Sequence, residues 1–519
     1  MNGDAKPKPA RMLLPIADKF GISWQPMKKL ILVTWLIAFA LGSRAALPQP
    51  DLVAQIHFAG GTSIASAQNY SAFATEFSSN EARALRAQTA DKLARFFASW
   101  FAQNSGATVN AGAARLRPLL NDLQNNEWYL EARNVGGKVE TTIAVKTDDA
   151  SAQAWSAGLK PFFPTGVFQR GGGWLSFSTS ARAPNISGKI SSLNGAWLSL
   201  DVNWPALGNF YPSVRELELP ETKFIVTATA TDVKIDGTFY FPQTINAPMD
   251  AWQVPTNTIH QPFISFTAVR GIASWLATQL WAAPYMLNPV PNQIYFWALL
   301  KQPFQSFAAV PCRDSWNALQ QMKGRLESLN AEAIARNDMQ FSLMLKQTDR
   351  MLVVLGLPFI VPYFEAVSSL AGQFLLAAGF PNTPKSLQPL PPELFTRLAQ
   401  KNILFYHWEI TAERMSPLLQ VTQFALMATW HKQLDGHSNA FKWIQLTGPK
   451  LGNTVTEVFQ TAPDQMTFTR KAPGAFTAME FFALANWLEA DDFPGCNLKM
   501  PPRNPKFKRH QVPAPAAGK

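Results

Sequence analysis

The sequence predicts an α+β protein of two similar lobes, each a mainly antiparallel sheet with helices packed on one face. Two observations carry that prediction. Short runs rich in Val, Thr and aromatics are joined by tight turns, as at Asn134–Lys138 with Gly136 and Gly137, which is the pattern of hairpins. Between the hairpins lie longer runs whose apolar residues recur at helical spacing. No succession of strand–helix–strand crossovers is present, which excludes a doubly wound parallel sheet.

The elements follow in order. Leu52–Phe58 (LVAQIHF) reads as a strand ending at Gly60–Gly61. Ser78 and Glu81 have the spacing of a helix-opening capping box. Beyond them Leu85, Thr89, Leu93, Phe96, Phe97, Trp100 and Phe101 recur at helical intervals and predict one buried face. A second helix is predicted over Gly112–Asn125. Trp128–Ala132 and Val139–Val145 form a hairpin. Asp148 and Asp149 open a helix to about Gly158, where a carboxylate accepts free amide hydrogens. Strands follow at Gly173–Ser178 and Ala196–Val202, then a long hairpin over Lys223–Phe241 whose Thr/Val alternation suits one wet face.

From Pro262 the order begins again. Phe263–Val269 is a strand, followed by a helix holding Trp275 and Leu276. Ile294–Leu299 and Phe304–Val310 form a hairpin through Lys301–Pro303, and Asp314 opens a helix to about Asn330. Met339–Leu345 and Met351–Leu355 read as a strand pair. Pro362–Ala378 reads as a helix before the Pro-rich turn Pro381–Pro392. Ile403–Ile410 is a strand, Glu413–Trp430 a helix, and Thr454–Thr461 with Gln465–Arg470 a closing hairpin. Thr477 and Glu480 have capping-box spacing before MEFFALANWLE. The stretches around Trp128–Asp149 and Gln293–Asp314 align without a gap at an offset of 165, with Ala144-Val145 on Ala309-Val310 and Asp149 on Asp314. We read this as an internal duplication.

Composition and charge place the chain in a compartment. Met27–Ala46 has Lys28 and Lys29, an apolar run from Leu30 to Leu41, then Ser43 and Ala45 before a cut, the plan of an export signal. The apolar run falls short of the ~20 residues that span a bilayer. The chain therefore divides into residues 1–26, a disordered extension or a mis-assigned start; 27–45, the signal; 46–250 and 251–493, the lobes; and 494–519, a disordered Pro-rich basic tail. The net charge of +11 comes from the ends, since the tail carries Lys499, Arg503, Lys506, Lys508, Arg509 and Lys519 and no acid. The body between the ends is net neutral, which argues against nucleic acid as a partner. The expected partner is an unidentified protein or envelope component, with the membrane engaged only through an uncleaved N-terminal segment. The expected location is periplasmic or secreted, the alternative being an inner-membrane anchor at residues 30–42. The two cysteines, Cys312 and Cys496, allow one disulfide.

The stretches PFISFTAVRG (Pro262–Gly271), PNQIYFWA (Pro291–Ala298) and AFTAMEFFALANWLE (Ala475–Glu489) resemble uncharacterised exported bacterial proteins with two similar α+β halves. The resemblance implies envelope location and no particular activity.

The chemistry-bearing residues are few. Gly61-Thr62-Ser63-Ile64-Ala65 approaches a nucleophile elbow but ends in Ala65. His260, His407, His431, His437 and His510 lie downstream of Ser63. His431 and His437 flank a helix end, without the third and fourth ligands a zinc site needs. Asp148 and Asp149 suit acid–base work or a solvated helix start. Glu480 lies among apolar residues, where the Thr477 cap accounts for it. Arg270 closes an apolar strand, as a core ion pair or a ligand anchor. Tryptophans are scattered one per element, as core anchors are, and the aromatic segment Trp252–Trp281 could line a groove between the lobes. No phosphate-binding or dinucleotide fingerprint occurs. The sequence thus assigns no catalytic, cofactor-binding or metal residue and no cofactor. It favours an exported envelope protein acting by binding or as a structural component. The rival readings are a secreted hydrolase whose site assembles from distant residues, entered through Ser63 or Asp148 and Asp149, and a carrier of an apolar ligand.

Overall fold

The structure is a computed structural model that describes residues 52–67, 72–102, 108–180, 190, 192–215, 217–259, 263–279, 287–299, 306–335, 343–357, 360–370, 372–379, 392–430, 435–491 and 493–494. It is an α+β fold built on one antiparallel sheet of 18 strands. The first-half strands are β1 (Leu52–Phe58), β2 (Trp128–Val135), β3 (Lys138–Lys146), β4 (Val167–Gly171), β5 (Trp174–Ser178), β6 (Leu198–Val202), β7 (Glu221–Ala228) and β8 (Val233–Tyr240). Those of the second are β9 (Phe263–Arg270), β10 (Gln293–Leu299), β11 (Ser306–Cys312), β12 (Met344–Gln347), β13 (Met351–Leu355), β14 (Tyr363–Ser369), β15 (Gly372–Ala378), β16 (Ile403–Ile410), β17 (Asn453–Ala462) and β18 (Gln465–Ala472).

The helices are α1 (Gly61–Ser66), α2 (Ala72–Phe77), α3 (Asn80–Ala102), α4 (Val109–Asn125), α5 (Asp149–Leu159), α6 (Trp204–Gly208), α7 (Pro212–Arg215), α8 (Ala273–Thr278), α9 (Ser315–Ala335), α10 (Pro392–Leu398), α11 (Thr411–Trp430), α12 (Asn439–Thr447) and α13 (Ala478–Glu489).

Pairing places the strands side by side in the order β4-β5-β3-β2-β1-β6-β7-β8-β18-β17-β16-β9-β10-β11-β15-β14-β13-β12. Read inward from each edge, the halves have the same order. Within it β1 corresponds to β9, β2 to β10, β3 to β11, β4 and β5 to β14 and β15, and β6–β8 to β16–β18. The hairpin β12–β13 is an addition at one edge. The seam is β8 against β18, two strands that hold the same place in their halves, paired from Val233↔Ala472 to Tyr240↔Gln465. One packing detail also recurs. Tyr129 sits opposite Ala144, and Tyr295 opposite Ala309, all four buried. The alanines are 165 residues apart and the tyrosines 166, so the gapless alignment slips by one residue in β2.

Local chemistry explains the elements. Gly136 and Gly137 take φ of 57° and 80° in the β2–β3 turn, where Asn134 Oδ1 accepts the Gly137 N–H, as a type I′ turn requires. Asp148 caps α5 by accepting from Ser151 N. Thr477 and Glu480 form the expected reciprocal capping box on α13. At α3 the cap is one residue later than expected: Ser79 Oγ accepts from Ala82 N, while Ser78 Oγ donates to the Ala74 carbonyl.

Four readings are corrected. Pro362–Ala378 is the hairpin β14–β15, turning at Gly372 (φ 132°). Its Ala/Leu-rich sequence favours helix, but β15 lies between β11 and β14, and burying Phe374, Leu375 and Leu376 there overrides propensity. Gly61–Ala65, the stretch that approaches a nucleophile elbow, lies within α1 and not between a strand and a helix. The second strand pair starts at Met344, residues 339–342 lying outside the described ones. On α3, Leu85 and Thr89 are buried as expected and Phe97 and Phe101 pack against the core, but Phe96 and Trp100 face out and Ala82, Ala90, Ala94 and Ala98 complete the buried stripe, because alanines let α3 approach its neighbours closely.

Helices α3, α4 and α5 bury the Val145, Leu175 and Phe177 face of the sheet, and α9 buries Val310, Leu375 and Ala366. Behind the second half, Val254, Ile259 and α10 close an aromatic core of Phe266, Tyr295, Trp297 and Tyr406.

Candidate functional site

Polar residues meet in one layer between the sheet and α11 and α13. Strand β16 puts Tyr406 into the aromatic core and turns the odd-numbered His407 and Glu409 to the other face. Register then fixes their neighbours. His407 lies opposite Thr267 and Thr456, and Glu409 opposite Ser265 and Thr454. Arg470 lies opposite Thr456.

His407 Nδ1 shares a hydrogen bond with Thr267 Oγ1 at 2.7 Å. Its Nε2 stands 3.4 Å from Glu409 Oε2, yet among the described residues it is buried without a hydrogen bond. Glu409 Oε1 accepts from Ala478 N at 2.6 Å and from Thr411 Oγ1 at 3.0 Å. Ala478 is the first residue of α13, so Glu409 holds the positive end of a helix dipole. Burial pushes the Glu409 carboxyl up, but the His407 imidazole, the Arg414 guanidinium and the Ala478 N–H outweigh it and hold the group below its ordinary value. Burial lowers Arg414, against the pull of Glu409. Beside this set Arg470 makes a bidentate pair with Glu480 at 2.7 and 3.0 Å and donates to Thr456 Oγ1. Both partners are about 3% exposed at the side chain.

A hydroxyl, an imidazole and a carboxylate thus stand in line. The order resembles a nucleophilic triad, but the geometry does not complete one. A triad needs the acid to orient the imidazole through a formed hydrogen bond. Here that link is long and misaligned, and one carboxylate oxygen is committed to seating α13.

The sequence-derived candidates fall elsewhere. Ser63 is exposed on α1, and among the described residues no hydrogen bond joins its hydroxyl to a histidine or an acid. Asp148 caps α5, and Asp149 pairs with Arg170. His437 is exposed, while His260, His431 and His510 lie outside the described residues. Among the described residues no cluster of three or more metal-ligating side chains occurs. Cys312 is a free thiol pushed up to about 11 by burial, and Cys496 lies outside the described residues. Among the described residues Arg270 makes no ion pair. Its guanidinium donates to the carbonyls of Ile403 (2.7 Å), Asp250 (3.0 Å), Gln400 and Lys401, beneath Trp252. With the Gln293 side chain bonded to Gln253 N and Ala251 O, it ties the connecting segment to the sheet. Within Trp252–Trp281, Trp252, Val254, Ile259, Phe263 and Phe266 are built into the core around Tyr295, and Ile272, Trp275 and Leu276 into the neighbouring one around Phe239 and Phe405.

Sequence reasoning missed His57. It is 3% exposed, with Nε2 3.0 Å from Glu127 Oε1, and Glu127 also meets Lys146. The available signal was a histidine among the alternating residues of β1. Compared with known proteins, the chain matches no family model, no curated protein and no solved structure.

Proposed function

We propose that the protein is an exported component of the cell envelope that acts by binding or as a structural element, without a catalytic site of its own. The N-terminal stretch Met27–Ala46 supports export. The observation that carries the non-catalytic reading is the use of the buried charges. Arg270 holds backbone carbonyls, Glu409 seats α13, and Arg470 and Glu480 satisfy each other and the cap of that helix. Groups spent in this way are not available to bind or activate a substrate. We propose further that the halves 46–250 and 251–493 arose by duplication. The matching strand order, the β8–β18 seam and the repeated Tyr–Ala pairs support that reading.

The Thr267–His407–Glu409 alignment favours the second reading, a hydrolase assembled from distant residues. Purified protein incubated with p-nitrophenyl esters of graded chain length and with a fluorophosphonate probe separates the two. The first reading predicts neither turnover nor labelling. Turnover that disappears in both Thr267→Val and His407→Ala would establish the second.

A further inference from the structure

The polar layer beneath α11 and α13 holds groups that the fold does not use. Glu409 engages Ala478 N and Thr411 through Oε1 alone, and among the described residues its Oε2 accepts no hydrogen bond. His407 Nε2 stands beside that oxygen, equally unbonded. Arg414 of α11 acts on the same carboxylate by its charge. Among the described residues its guanidinium makes no hydrogen bond or ion pair, and its Nε is shut off from solvent. Buried Ser265 lies opposite Glu409 on β9, and its hydroxyl has no partner among the described residues either. Buried donors and acceptors are ordinarily satisfied, so this set around one carboxylate calls for an occupant that answers it.

Strand register shows how such an occupant reaches these groups. His407 is bonded to Thr267, and Thr267 lies opposite Phe296 of β10, so the three stand in one row on one face of neighbouring strands. Helix α9 packs on this face at Val310, in the strand beyond β10, and α11 begins beside Glu409. Solvent reaches inward between them. Phe296 is 39% exposed, Thr267 is half-buried and the His407 side chain is 12% exposed, while Glu409 at the inner end is buried. Neighbouring strands lie about 4.8 Å apart, so the Phe296 and His407 positions are about 10 Å apart.

We propose that this row is a binding site for a neutral sugar of disaccharide length or longer. The proposal rests on the reading that the protein acts by binding, and it names what is bound. Charge selects a neutral ligand, because Arg414 stands against a cation and Glu409 against an anion. A hydroxyl both donates and accepts through one oxygen, so adjacent hydroxyls of a sugar answer Glu409 Oε2 and Ser265 together with the N–H groups of His407 and Arg414. The Phe296 ring offers an apolar face to the C–H side of the next sugar unit. An extended peptide would need a free strand edge, and β9, β10 and β16 are each paired on both sides.

Isothermal titration calorimetry of the full chain with cellobiose, maltose and N,N′-diacetylchitobiose tests it, with sodium acetate and ethanolamine as charged probes. The expected result is saturable binding of at least one disaccharide and of neither charged probe. Phe296→Ala, a change at an exposed ring, should weaken that binding at least about threefold. Ser265→Ala removes a hydroxyl that the fold does not use, so it should leave the melting temperature unchanged and also weaken binding about threefold or more. Trp487→Ala, at an exposed tryptophan of α13, should leave binding unchanged. Failure of all three disaccharides to bind at millimolar concentration, binding of acetate in their place, or binding equal in wild type, Phe296→Ala and Ser265→Ala would overturn the proposal. The first of these would remove the sugar site and leave the non-catalytic envelope reading standing. Release of monosaccharide that is lost in both variants would do the reverse, keeping the sugar site and overturning the non-catalytic reading.

Discussion

Glu409 is a carboxylate almost without water, and it stays ionised because its surroundings favour the charged form. Its pKa is lower folded than unfolded. The stability it contributes is therefore fully present above the unfolded value of about 4.3 and is lost as pH falls through the lower folded value. Glu409→Gln should melt lower than wild type at pH 7, by about 1–3 kcal/mol of stability. The gap should close on acidification below about pH 4, which thermal melts across pH will read. Arg470 and Glu480 set a second test. Glu480→Gln alone leaves the Arg470 guanidinium buried without its charge partner and should cost about 3–5 kcal/mol. Chemical denaturation of both single variants and of the double variant Arg470→Met/Glu480→Gln should give strong coupling between the two sites.

At the scale of elements, helix ends do much of the joining between distant parts of the chain. Lys92 of α3 donates to the carbonyls of Leu488, Glu489 and Ala490, closing the C-terminus of α13. The Glu489 carboxylate in turn accepts from Asn439 N and from Ser438 Oγ at the start of α12. Lys92→Met should lower stability by about 1–3 kcal/mol, and hydrogen exchange should show the last turn of α13 opening first. Such joins are hard to read from sequence, because Lys92 and Leu488 are far apart in the chain and only the fold brings them together. What could be read was local: the Thr477–Glu480 box, the Asp148 cap, the Gly136–Gly137 turn and the hairpin pattern. The β14–β15 hairpin was not legible, since its alternation is weak and its burial between strands is a tertiary fact. The polar layer was half legible. His407 and Glu409 alternate visibly in ILFYHWEI, but Thr267 as their neighbour follows only from strand register.

Across the whole molecule, the β8–β18 pairing carries one sheet continuously from the first strands of the chain to the last. Gly237 sits at its middle, opposite Phe468. A Cβ there would lie 2.1 Å from Phe224 Cε1. The Phe224 ring is held edge-on against Phe239 and Phe468, so it cannot swing aside freely. Gly237→Ala should therefore cost about 1–3 kcal/mol. Calorimetry of the wild type should show the two halves melting in one transition, because each half's last strand is paired in the other's sheet. The functional account rests on where this body works. The most direct measurement is mass spectrometry of the N-terminus of the protein recovered from separated cell fractions. A mature chain beginning near Ala46 in the envelope or medium fraction is the expected result. A cytoplasmic protein that retains an intact peptide spanning Leu41–Leu52 would contradict it.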